Sequence, residues 1–511
     1  MIVATSSGKV EGLAKDGVLQ FRGIPYAKAE RFQPPEPAEP WHGVHDATTF
    51  APMAPQNPSP LESLLGAQDH PASEDCLALN VFTSGADPDA ARPVMVWIHG
   101  GAFVAGSGNV PWYNASNLVR LGDVVVVTLN YRLGALGFLH LGHLAPELAT
   151  SGSNGIADQI AALRWVRDNI AAFGGDPHNV TIFGESAGGM SVSTLLGTPD
   201  AAGLFSGAIA QSGAAANVHG SLETAEWVTE RVLTAAGLST TSGDGLFAVP
   251  LDELLAAQAT VELAVQRGEG IDAGIGPAAG VLAFQPLIDG TRLPQPPLKA
   301  VRDGSAAGVP LVIGTTADEW NLFHIQLRRN GPLSDDRLRR RLGRIVGSDR
   351  VDDVIDAYRA AHPTADPDAV LCAVMTDRVF RIPAIRFAEA QLPHAPRVSM
   401  YRFGYRSTGF DGALGACHAI DVPFVFANLD KRGADMFIGG VTDDALHLAE
   451  RCARAWTSTA RTGSPEHDDL LWPSYDLQRR ATCELDTTPS VSEDPGASLR
   501  TMWDDLDLST R

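Results

Sequence analysis

Short apolar segments alternate with amphipathic ones through much of this chain. Uninterrupted apolar and β-branched runs are typical of buried strands in a parallel sheet. Such runs occupy residues 92–99, 123–130, 179–183, 207–213 and 310–315. Residues 158–170 carry apolar side chains at spacings of three and four, which predicts an amphipathic helix. Strands alternating with helices indicate an α/β fold with a large, mostly parallel sheet covered on both faces.

Three segments interrupt this alternation. Residues 52–75 are rich in Pro, Ser and Ala, and residues 268–297 are rich in Gly and Pro, so both are predicted to be inserted loops. Residues 337–344 form a basic run on a predicted helix, and we interpret it as a solvated face. Because the chain contains no internal repeat or long low-complexity linker, residues 1–511 are predicted to form one elaborated domain.

The composition narrows the possible partners. Apolar residues make up 44% of the chain and charged residues 19%, which is enough apolar content for a large core. The formal charge is −21, from 39 basic and 60 acidic residues. A field of this sign repels nucleic acid and anionic membrane surfaces and mildly disfavours anionic substrates. We therefore expect no nucleic-acid partner and no membrane association.

The cysteines and the N-terminal sequence point to a location inside the cell. The chain has five cysteines without C-x-x-C or zinc-ligand spacing, so a disulfide framework is not indicated and a reducing compartment is favoured. The first residues read as a strand, without the basic and apolar regions of a signal peptide. The sequence predicts a cytoplasmic protein and leaves open whether it is a monomer or a homodimer.

A candidate nucleophile lies directly after the apolar run at 179–183. Residues 184–188 read Gly-Glu-Ser-Ala-Gly, which matches G-x-S-x-G, and residues 187–196 can form the helix that follows. A serine on a sharp strand-to-helix turn exposes its Oγ, and glycine at the flanks allows the strand and helix to approach. The alternative is an ordinary glycine-rich turn. The strand–turn–helix context favours Ser186 as a nucleophile.

A serine nucleophile also needs donors for the oxyanion. Residues 99–103 read His-Gly-Gly-Ala-Phe directly after the predicted strand at 92–99. Small residues there let the loop present backbone N–H groups to developing negative charge, although the same pattern fits a plain turn. With Gly100 forming the bend, Gly101, Ala102 and Ala187 are the predicted donors.

The acid and the base of a triad are less clear from the residues. Asp318 and Glu319 follow the predicted strand at 310–315, where the acid is expected, and local chemistry does not separate them. Downstream, His418 lies in a loop of small residues before an apolar segment. The chain has 14 histidines, so position and context favour His418 without excluding the others.

These motifs belong to a longer set spread over essentially the whole chain. Through this set of motifs, the chain resembles the type-B carboxylesterases, the family of bacterial para-nitrobenzyl esterases, animal carboxylesterases and cholinesterases. The stretches that carry the resemblance are residues 73–81, 99–103, 130–138, 173–177, 184–188, 289–290, 415–426 and 472–475.

The resemblance implies an α/β-hydrolase fold in which insertions roof a deep gorge. It implies Glu319 as the acid, with Asp318 as a neighbour, and His418 as the base. The activity implied is a serine carboxylesterase that hydrolyses small-molecule esters, with short-chain acyl, aryl or bulky alcohol groups, through an acyl-enzyme. No metal or organic cofactor is expected.

Four departures from the family pattern bear on the site. The segment after the oxyanion loop lacks the cysteine that many secreted relatives pair with the position of Cys76, so Cys76 is predicted to be a buried thiol. Trp320 replaces a common glycine after the acid. The residues after the base are Ala419, Ile420 and Asp421 rather than Gly-x-Glu. Ala102 gives a loop that resembles those admitting esters of bulky, even tertiary, alcohols.

Other residues near these motifs are candidates for binding and support. Each aromatic candidate is also a possible core residue, and Phe103 and Trp320 stand closest to the catalytic positions. Glu185 and Ser212 are candidates to support the triad by hydrogen bonds. The candidate pocket residues are Phe103, Trp112, Tyr113, Trp320 and Phe323.

Two other functions fit parts of the same sequence. Some family members are adhesion or storage proteins without catalysis, but those usually lack a triad residue and all three are present here. The same triad could also act mainly on carbamates, amides, thioesters or lactones. The sequence favours the esterase over both alternatives and leaves the physiological ester open.

Overall fold

A computed structural model describes residues 1–15, 17–59, 70–215, 218, 221–270, 282–327 and 331–504. Much of the two predicted inserted loops, residues 60–69 and 271–281, lies outside the described residues. Within the described ranges, no helix is both long enough and apolar enough to cross a bilayer.

The strands confirm the pattern of buried apolar runs. In chain order they are β1 (Ile2–Ala4), β2 (Lys9–Glu11), β3 (Leu13–Lys15), β4 (Val18–Pro25), β5 (Ala27–Lys28), β6 (Glu36–Pro37), β7 (Val44–Asp46), β8 (Ala78–Thr83), β9 (Arg92–Ile98), β10 (Val125–Leu129), β11 (Gly175–Glu185), β12 (Gly207–Gln211), β13 (Leu311–Thr316), β14 (Val398–Phe403), β15 (Ala481–Leu485) and β16 (Ser490–Glu493). Each of the five strands predicted from sequence is present, with ends shifted by a few residues.

Eleven of the described strands form one large sheet. Its order is β16-β15-β14-β13-β12-β11-β9-β10-β8-β4-β3. The central strands from β15 to β10 pair in parallel, and the pairs toward both edges are antiparallel. The prediction of a large, mostly parallel sheet is therefore confirmed. Two small sheets, β1-β2-β7 and β5-β6, are separate from it.

The helices flank the sheet and extend beyond it. They are α1 (Ser116–Gly122), α2 (Gly134–Phe138), α3 (Asn154–Asn169), α4 (Ala187–Leu196), α5 (Leu222–Ala235), α6 (Asp244–Ala248), α7 (Leu251–Gln266), α8 (Pro297–Arg302), α9 (Trp320–Leu327), α10 (Asp335–Val346), α11 (Val351–Ala361), α12 (Pro367–Thr376), α13 (Ile382–Gln391), α14 (Val422–Val425), α15 (Ala434–Ile438), α16 (Asp443–Thr462) and α17 (Ala497–Asp504). A π-helical turn, Asp377–Arg381, joins α12 to α13.

Both faces of the sheet are buried at its centre because the central strands are largely apolar. Along β9, Val94, Val96 and Ile98 join the core on the face that α3 and α4 cover, whereas Met95 and Trp97 join the core on the face that α1 and α16 cover. Successive side chains of a strand point to opposite faces, so an uninterrupted apolar run supplies both cores. This explains why the central strands lack polar–apolar alternation.

The helix predictions agree with the structure. The amphipathic run predicted at 158–170 corresponds to α3, which begins four residues earlier and ends one residue earlier, and the run at 187–196 coincides with α4. The basic run at 337–344 lies within α10, whose arginines at 339, 340, 341 and 344 are exposed. The interpretation of that run as a solvated face is confirmed.

Candidate active site

The carboxyl ends of the central strands meet at one edge of the sheet. In the register of the pairs, Gly184 of β11 lies opposite Ile98 of β9, and Glu185 lies opposite Gln211 of β12. Gln211 in turn lies opposite Gly314 of β13. The loops that follow these strands carry the sequence-predicted residues. Parallel strands deliver their loops to the same edge, which is where ligands bind in open α/β sheets.

Ser186 occupies a strained turn between β11 and α4. Its backbone has φ 58° and ψ −125°, outside the regions that a serine ordinarily adopts. The Ser186 N–H donates to the carbonyl of Gln211 over 3.0 Å, and the Ser186 carbonyl accepts from Met190 over 2.8 Å. These bonds hold the turn on both sides. Strain that is fixed in this way is typical of functional positions.

Glycine at position 188 is required by a close approach of two backbones. A Cβ atom on Gly188 would lie 2.0 Å from the carbonyl oxygen of Ile98. A Cβ on Gly184 would lie 2.6 Å from that same oxygen. The first turn of α4 can therefore pack against the end of β9 only if both positions lack a side chain. This packing brings the loop after β9 next to Ser186.

The loop after β9 has an unusual backbone. Gly101, Ala102 and Phe103 have φ values of 107°, 55° and 61°, so three successive residues are left-handed. The Gly101 carbonyl accepts from the N–H groups of Val104 and Ala105, each over 3.0 Å. The N–H groups of Gly101, Ala102 and Ala187 donate to no other group among the residues the structure describes. A left-handed run of this kind can present successive N–H groups to an anion.

Side chains that the sequence analysis did not select hold this loop. The Tyr131 hydroxyl donates to the carbonyl of His99 over 2.9 Å, and the two rings stack with centroids 4.4 Å apart. Burial lowers the pKa of His99 to about 4, so its ring is neutral at pH 7. Gln56 bonds both the N–H and the carbonyl of Gly106. Tyr131 lies in the quoted stretch at 130–138, whereas Gln56 carries no sequence signal.

The structure separates the two adjacent carboxylates. Nδ1 of His418 lies 2.6 Å from Oε2 of Glu319, and both side chains are buried. The other carboxylate oxygen of Glu319 accepts from the N–H of Thr316 over 2.9 Å. Asp318 instead accepts from Arg406 over 2.7 Å and from the N–H of Ala416 over 2.9 Å. Glu319 is thus the carboxylate that orients the His418 ring.

His418 lies among negative charges. Its Nε2 is 3.2 Å from Oε1 of Glu185, the residue directly before Ser186. Burial acts to lower the pKa of His418, but Glu185 and Glu319 outweigh it and raise the pKa to about 9. The charged form of the imidazole is therefore stabilised in this site. Glu185, selected from sequence as a supporting residue, contacts the ring directly.

A buried polar network lies behind His418. Burial raises the pKa of Asp421 to about 6. Its Oδ2 accepts from Gln211 over 2.9 Å and from the Tyr401 hydroxyl over 3.1 Å. Gln211 also accepts from Trp456 over 2.9 Å. These contacts hold the Asp421 carboxylate in place behind His418.

The structure also shows the backbone conformations of Ala419 and Ser212, two residues singled out from the sequence. Ala419, where the family usually has glycine, has a left-handed backbone with φ 64°, which costs an alanine more than a glycine. Ser212 is fully buried with φ 48°, and its N–H donates to Gly314 over 2.8 Å. The Ser212 Oγ has no hydrogen-bond partner among the described residues. Ser212 thus supports the site through its backbone.

Two aromatic side chains lie beside the histidine, and a third packs against them. The ring of Phe323 is 5.0 Å from the His418 ring, and the ring of Phe380 is 4.8 Å from it. Trp320 packs on Phe323 with centroids 4.9 Å apart. We call Trp320, Phe323 and Phe380 the aromatic wall. Phe380 was missed from sequence because it lies on the π-helical turn, far from any motif.

The other aromatic candidates lie in the core. Phe103 is fully buried, and its ring packs edge-to-face on Phe138 at 5.1 Å. Trp112 donates from Nε1 to the carbonyl of Arg432 over 3.0 Å and packs on Phe437 at 5.5 Å. Tyr113 packs beside Trp97, in the same core as Trp112. The structure brings Phe323 to His418 and Trp320 to Phe323, whereas these three belong to the packing of the core.

The stretch at 73–81 contacts the stretch at 130–138, because the Asn130 N–H donates to the carbonyl of Ala78 over 3.0 Å. Cys76 is a fully buried thiol outside any disulfide, and burial raises its pKa to about 12. Nearby, Arg132 forms a paired contact with Asp158 at 2.7 and 2.9 Å, with both side chains buried. The motif residue Arg132 thus has a structural role, because it anchors α3 to the stretch at 130–138.

The chain matches known proteins over almost its full length. The sequence model of the carboxylesterase family matches residues 1–503. The chain is 41% identical to a para-nitrobenzyl esterase of Bacillus subtilis (strain 168), covering 98% of this chain and 97% of that protein. It is 35% identical to a phenmedipham hydrolase of Pseudarthrobacter oxydans, covering 93% and 92% of the two chains.

Solved structures agree with these sequence matches. The crystal structure of a carboxylesterase from Geobacillus stearothermophilus superimposes with a TM-score of 0.86 at 40% identity, covering 98% of this chain and 99% of that one. A thermophilic para-nitrobenzyl esterase gives a TM-score of 0.85 at 40% identity over the same shares. The chain therefore belongs to the carboxylesterase family, and it is a carboxylic ester hydrolase with the α/β-hydrolase fold.

Proposed function

We propose that Ser186, His418 and Glu319 form the catalytic triad of this esterase, and that the N–H groups of Gly101, Ala102 and Ala187 bind the oxyanion. The observation that carries the proposal is the 2.6 Å contact between Nδ1 of His418 and Oε2 of Glu319. It fixes the imidazole, whose Nε2 lies 3.2 Å from Oε1 of Glu185, the residue directly before Ser186. The strained turn at Ser186 supports the role of that residue as nucleophile.

The reaction proceeds by two acyl transfers. Ser186 Oγ attacks the ester carbonyl carbon while Nε2 of His418 accepts the hydroxyl proton, and Glu319 stabilises the imidazolium. The tetrahedral oxyanion receives hydrogen bonds from the loop after β9 and from Ala187. The C–O bond to the alcohol breaks, and the alcohol leaves with the proton from His418. Water then attacks the acyl-enzyme, again with His418 as base, and releases the carboxylic acid and Ser186.

His418 can accept the proton of Ser186 only when its imidazole ring is neutral. Because neighbouring carboxylates raise the pKa of His418 to about 9, the uncharged form grows as pH rises toward that value. We expect turnover to increase from neutral to mildly alkaline pH.

We propose that the substrates are uncharged esters with an apolar acyl group or a bulky or aromatic alcohol. Phe323 beside His418 and Trp320 packed on Phe323 are both partly exposed, and they offer apolar and aromatic contact near the reacting carbonyl. The small side chain of Ala102 occupies little space beside the oxyanion loop, which leaves room for a branched alcohol. The net charge of −21 disfavours anionic substrates. One relative of similar length is a para-nitrobenzyl esterase, whose named alcohol is aromatic.

The triad is tested by replacing the nucleophile. In Ser186→Ala the hydrolysis of p-nitrophenyl acetate should fall by about 10⁴-fold or more, with an unchanged midpoint of thermal unfolding. Turnover retained at the original rate in a folded Ser186→Ala protein would remove Ser186 from the mechanism while leaving the family assignment intact.

The alcohol preference is tested separately with n-butyl acetate and tert-butyl acetate. Hydrolysis of both supports the proposed room for branched alcohols. Cleavage of n-butyl acetate with no detectable cleavage of tert-butyl acetate would contradict it. A parallel panel of carbamates and anilides ranks the other carbonyl substrates that the same triad can attack.

Other features of the chain remain predictions. The match of one family model to residues 1–503 supports a single domain. Whether the enzyme is a monomer or a homodimer is a question for light scattering. A cytoplasmic location is predicted from the cysteine usage, because buried thiols persist in a reducing compartment.

A further inference from the structure

A cluster of potential metal ligands lies apart from the catalytic residues. His140, His143 and Glu226 each offer one ligand atom, and these atoms all lie within 4.8 Å of one another. The two imidazole rings are nearly parallel, with centroids 5.7 Å apart and an interplanar angle of 28°. Two histidines and one carboxylate are a donor set suited to zinc and to other first-row transition metals.

His140 is held firmly in place. It is 4% exposed, and its carbonyl accepts from the hydroxyl of Thr229 over 2.6 Å. The next residue, Leu141, donates its N–H to Ser151 over 2.9 Å. Thr229 lies three residues after Glu226 on α5, so the bond that fixes His140 also fixes the helical turn that carries Glu226. Two of the three ligands therefore have a common support.

A buried nitrogen supplies a second, independent observation. Nδ1 of His140 is buried and has no hydrogen-bond partner among the residues the structure describes. A buried polar atom without a partner costs about 1–3 kcal/mol, so such atoms require an explanation. Within the described part of the chain, no protein group therefore competes with a cation for Nδ1, one of the two ring nitrogens through which His140 can bind a metal.

The remaining ligands can move to complete a coordination shell. Zinc binds imidazole nitrogen at about 2.0–2.1 Å, which places pairs of donors about 3.3–3.5 Å apart around a tetrahedral ion. His143 is exposed and Glu226 partly exposed, so rotation of their side chains can close the distance onto the fixed His140. Gly142 lies between the two histidines, within a turn in which Leu144 N–H donates to Leu141 over 2.9 Å. The turn places the rings of His140 and His143 beside α5, the helix that carries Glu226.

We propose that His140, His143 and Glu226 form a structural binding site for a divalent transition-metal cation such as Zn²⁺, with water completing the coordination. The ion would join α5 to the segment that follows α2 (Gly134–Phe138). That segment begins behind the oxyanion loop, because Gly134 N–H donates to the carbonyl of Phe103 over 2.7 Å. The negative net charge of the chain favours cation binding. This inference does not depend on the assignment of the triad.

The test is a Zn²⁺ titration of the untagged full chain after dialysis against a chelator, followed by calorimetry. We expect one saturable site per chain and a higher midpoint of thermal unfolding with Zn²⁺ than without it, since a ligand of the native state stabilises it. Co²⁺ in place of Zn²⁺ should give visible absorption bands of a low-coordinate ion. Absence of saturable Zn²⁺ binding to the wild-type chain would overturn the proposal.

Variants at the exposed ligands locate the site. His143→Ala and Glu226→Gln should each weaken Zn²⁺ binding by at least about tenfold and remove most of the thermal shift. His178→Ala is the matched control, because His178 is also exposed and lies outside the cluster. Zn²⁺ affinity unchanged in both ligand variants, or reduced equally by His178→Ala, would place binding elsewhere and contradict the inference.

Discussion

The nucleophile turn and the aromatic wall are built in opposite ways. Ser186 lies on a turn set by a few contiguous residues, with glycines at 184 and 188 that allow two backbones to meet. The aromatic wall combines Trp320 and Phe323 of α9 with Phe380 from the π-helical turn. The first depends on backbone geometry, whereas the second depends on side chains brought together by the helices beyond the sheet.

This difference separates chemistry from selectivity. Backbone strain and close packing leave little tolerance for substitution at the turn, because displacement of a reacting atom by about 1 Å costs about 10²-fold in rate. Apolar walls tolerate exchange among hydrophobic residues with small energetic consequences. We therefore expect substitutions that displace the Ser186 turn to lower turnover for every ester, and substitutions in the aromatic wall to change which esters are preferred.

After loss of the nucleophile itself, the largest effect should come from the acid that orients the base. Glu319→Gln should lower kcat by about 10³–10⁴-fold, because an amide neither fixes the ring tautomer nor stabilises the imidazolium. Asp318→Asn is the matched control at the adjacent position. Its carboxylate bonds Arg406 and Ala416 rather than His418, so kcat should change by less than about tenfold. Equal losses in the two variants, measured with p-nitrophenyl acetate, would mean that both acids act on His418.

The next largest effect should follow from a methyl group at position 188. Gly188→Ala places a Cβ 2.0 Å from the Ile98 carbonyl, so β9 and α4 must separate. We expect kcat to fall by about 10²-fold and the free energy of unfolding to fall by about 1–3 kcal/mol. Gly343→Ala is the control within α10, where a Cβ meets no atom within 4 Å. It should leave kcat unchanged and raise stability by about 0.5–1 kcal/mol. Full activity in Gly188→Ala would contradict the close-packing argument.

A smaller, selective effect is expected in the aromatic wall. Phe323→Leu should reduce the ratio of kcat/KM for p-nitrobenzyl acetate over methyl acetate by about tenfold, which corresponds to one lost aromatic contact of about 1.4 kcal/mol. Trp112→Phe is the control, because Trp112 packs in the core against Phe437. It should reduce stability and leave the ratio unchanged. If the selectivity ratio changes in Trp112→Phe and not in Phe323→Leu, the alcohol pocket lies on the other face of the sheet and the prediction is wrong.

The smallest effect concerns pH. His418 must be neutral to accept a proton. The value of kcat/KM is therefore highest above the pKa of His418 and decreases as the pH falls through that pKa. Glu185 raises this pKa through its negative charge. Glu185→Gln should therefore lower the pKa and shift the acidic limb of the kcat/KM profile to lower pH. Glu450→Gln, at an exposed pair with Arg454, should leave the profile in place. If the acidic limb of the kcat/KM profile does not move in Glu185→Gln, the Glu185 carboxylate does not raise the pKa of His418, and the prediction is wrong.

The comparison also explains what sequence reasoning could reach. The turn at Ser186 and the strands around it were predictable, because glycine spacing and apolar runs encode local geometry. The choice between Asp318 and Glu319 required the family resemblance, since it depends on partners near residues 406 and 418 that lie far along the chain. Phe380 and Gln56 were beyond reach, because their roles arise only from tertiary packing. Trp112 was selected as a pocket candidate for its aromatic character, which core residues share.

The central claim is that Ser186 alone carries the reactive oxygen. The most direct test is to incubate the enzyme with a p-nitrophenyl alkylphosphonate, then weigh the intact chain and map the modified peptide. The account predicts one phosphonyl group per chain, on Ser186, formed with release of one equivalent of p-nitrophenolate and complete loss of esterase activity. It also predicts much slower labelling in Glu319→Gln. A stoichiometric adduct on another residue, or full labelling with esterase activity retained, would contradict the account.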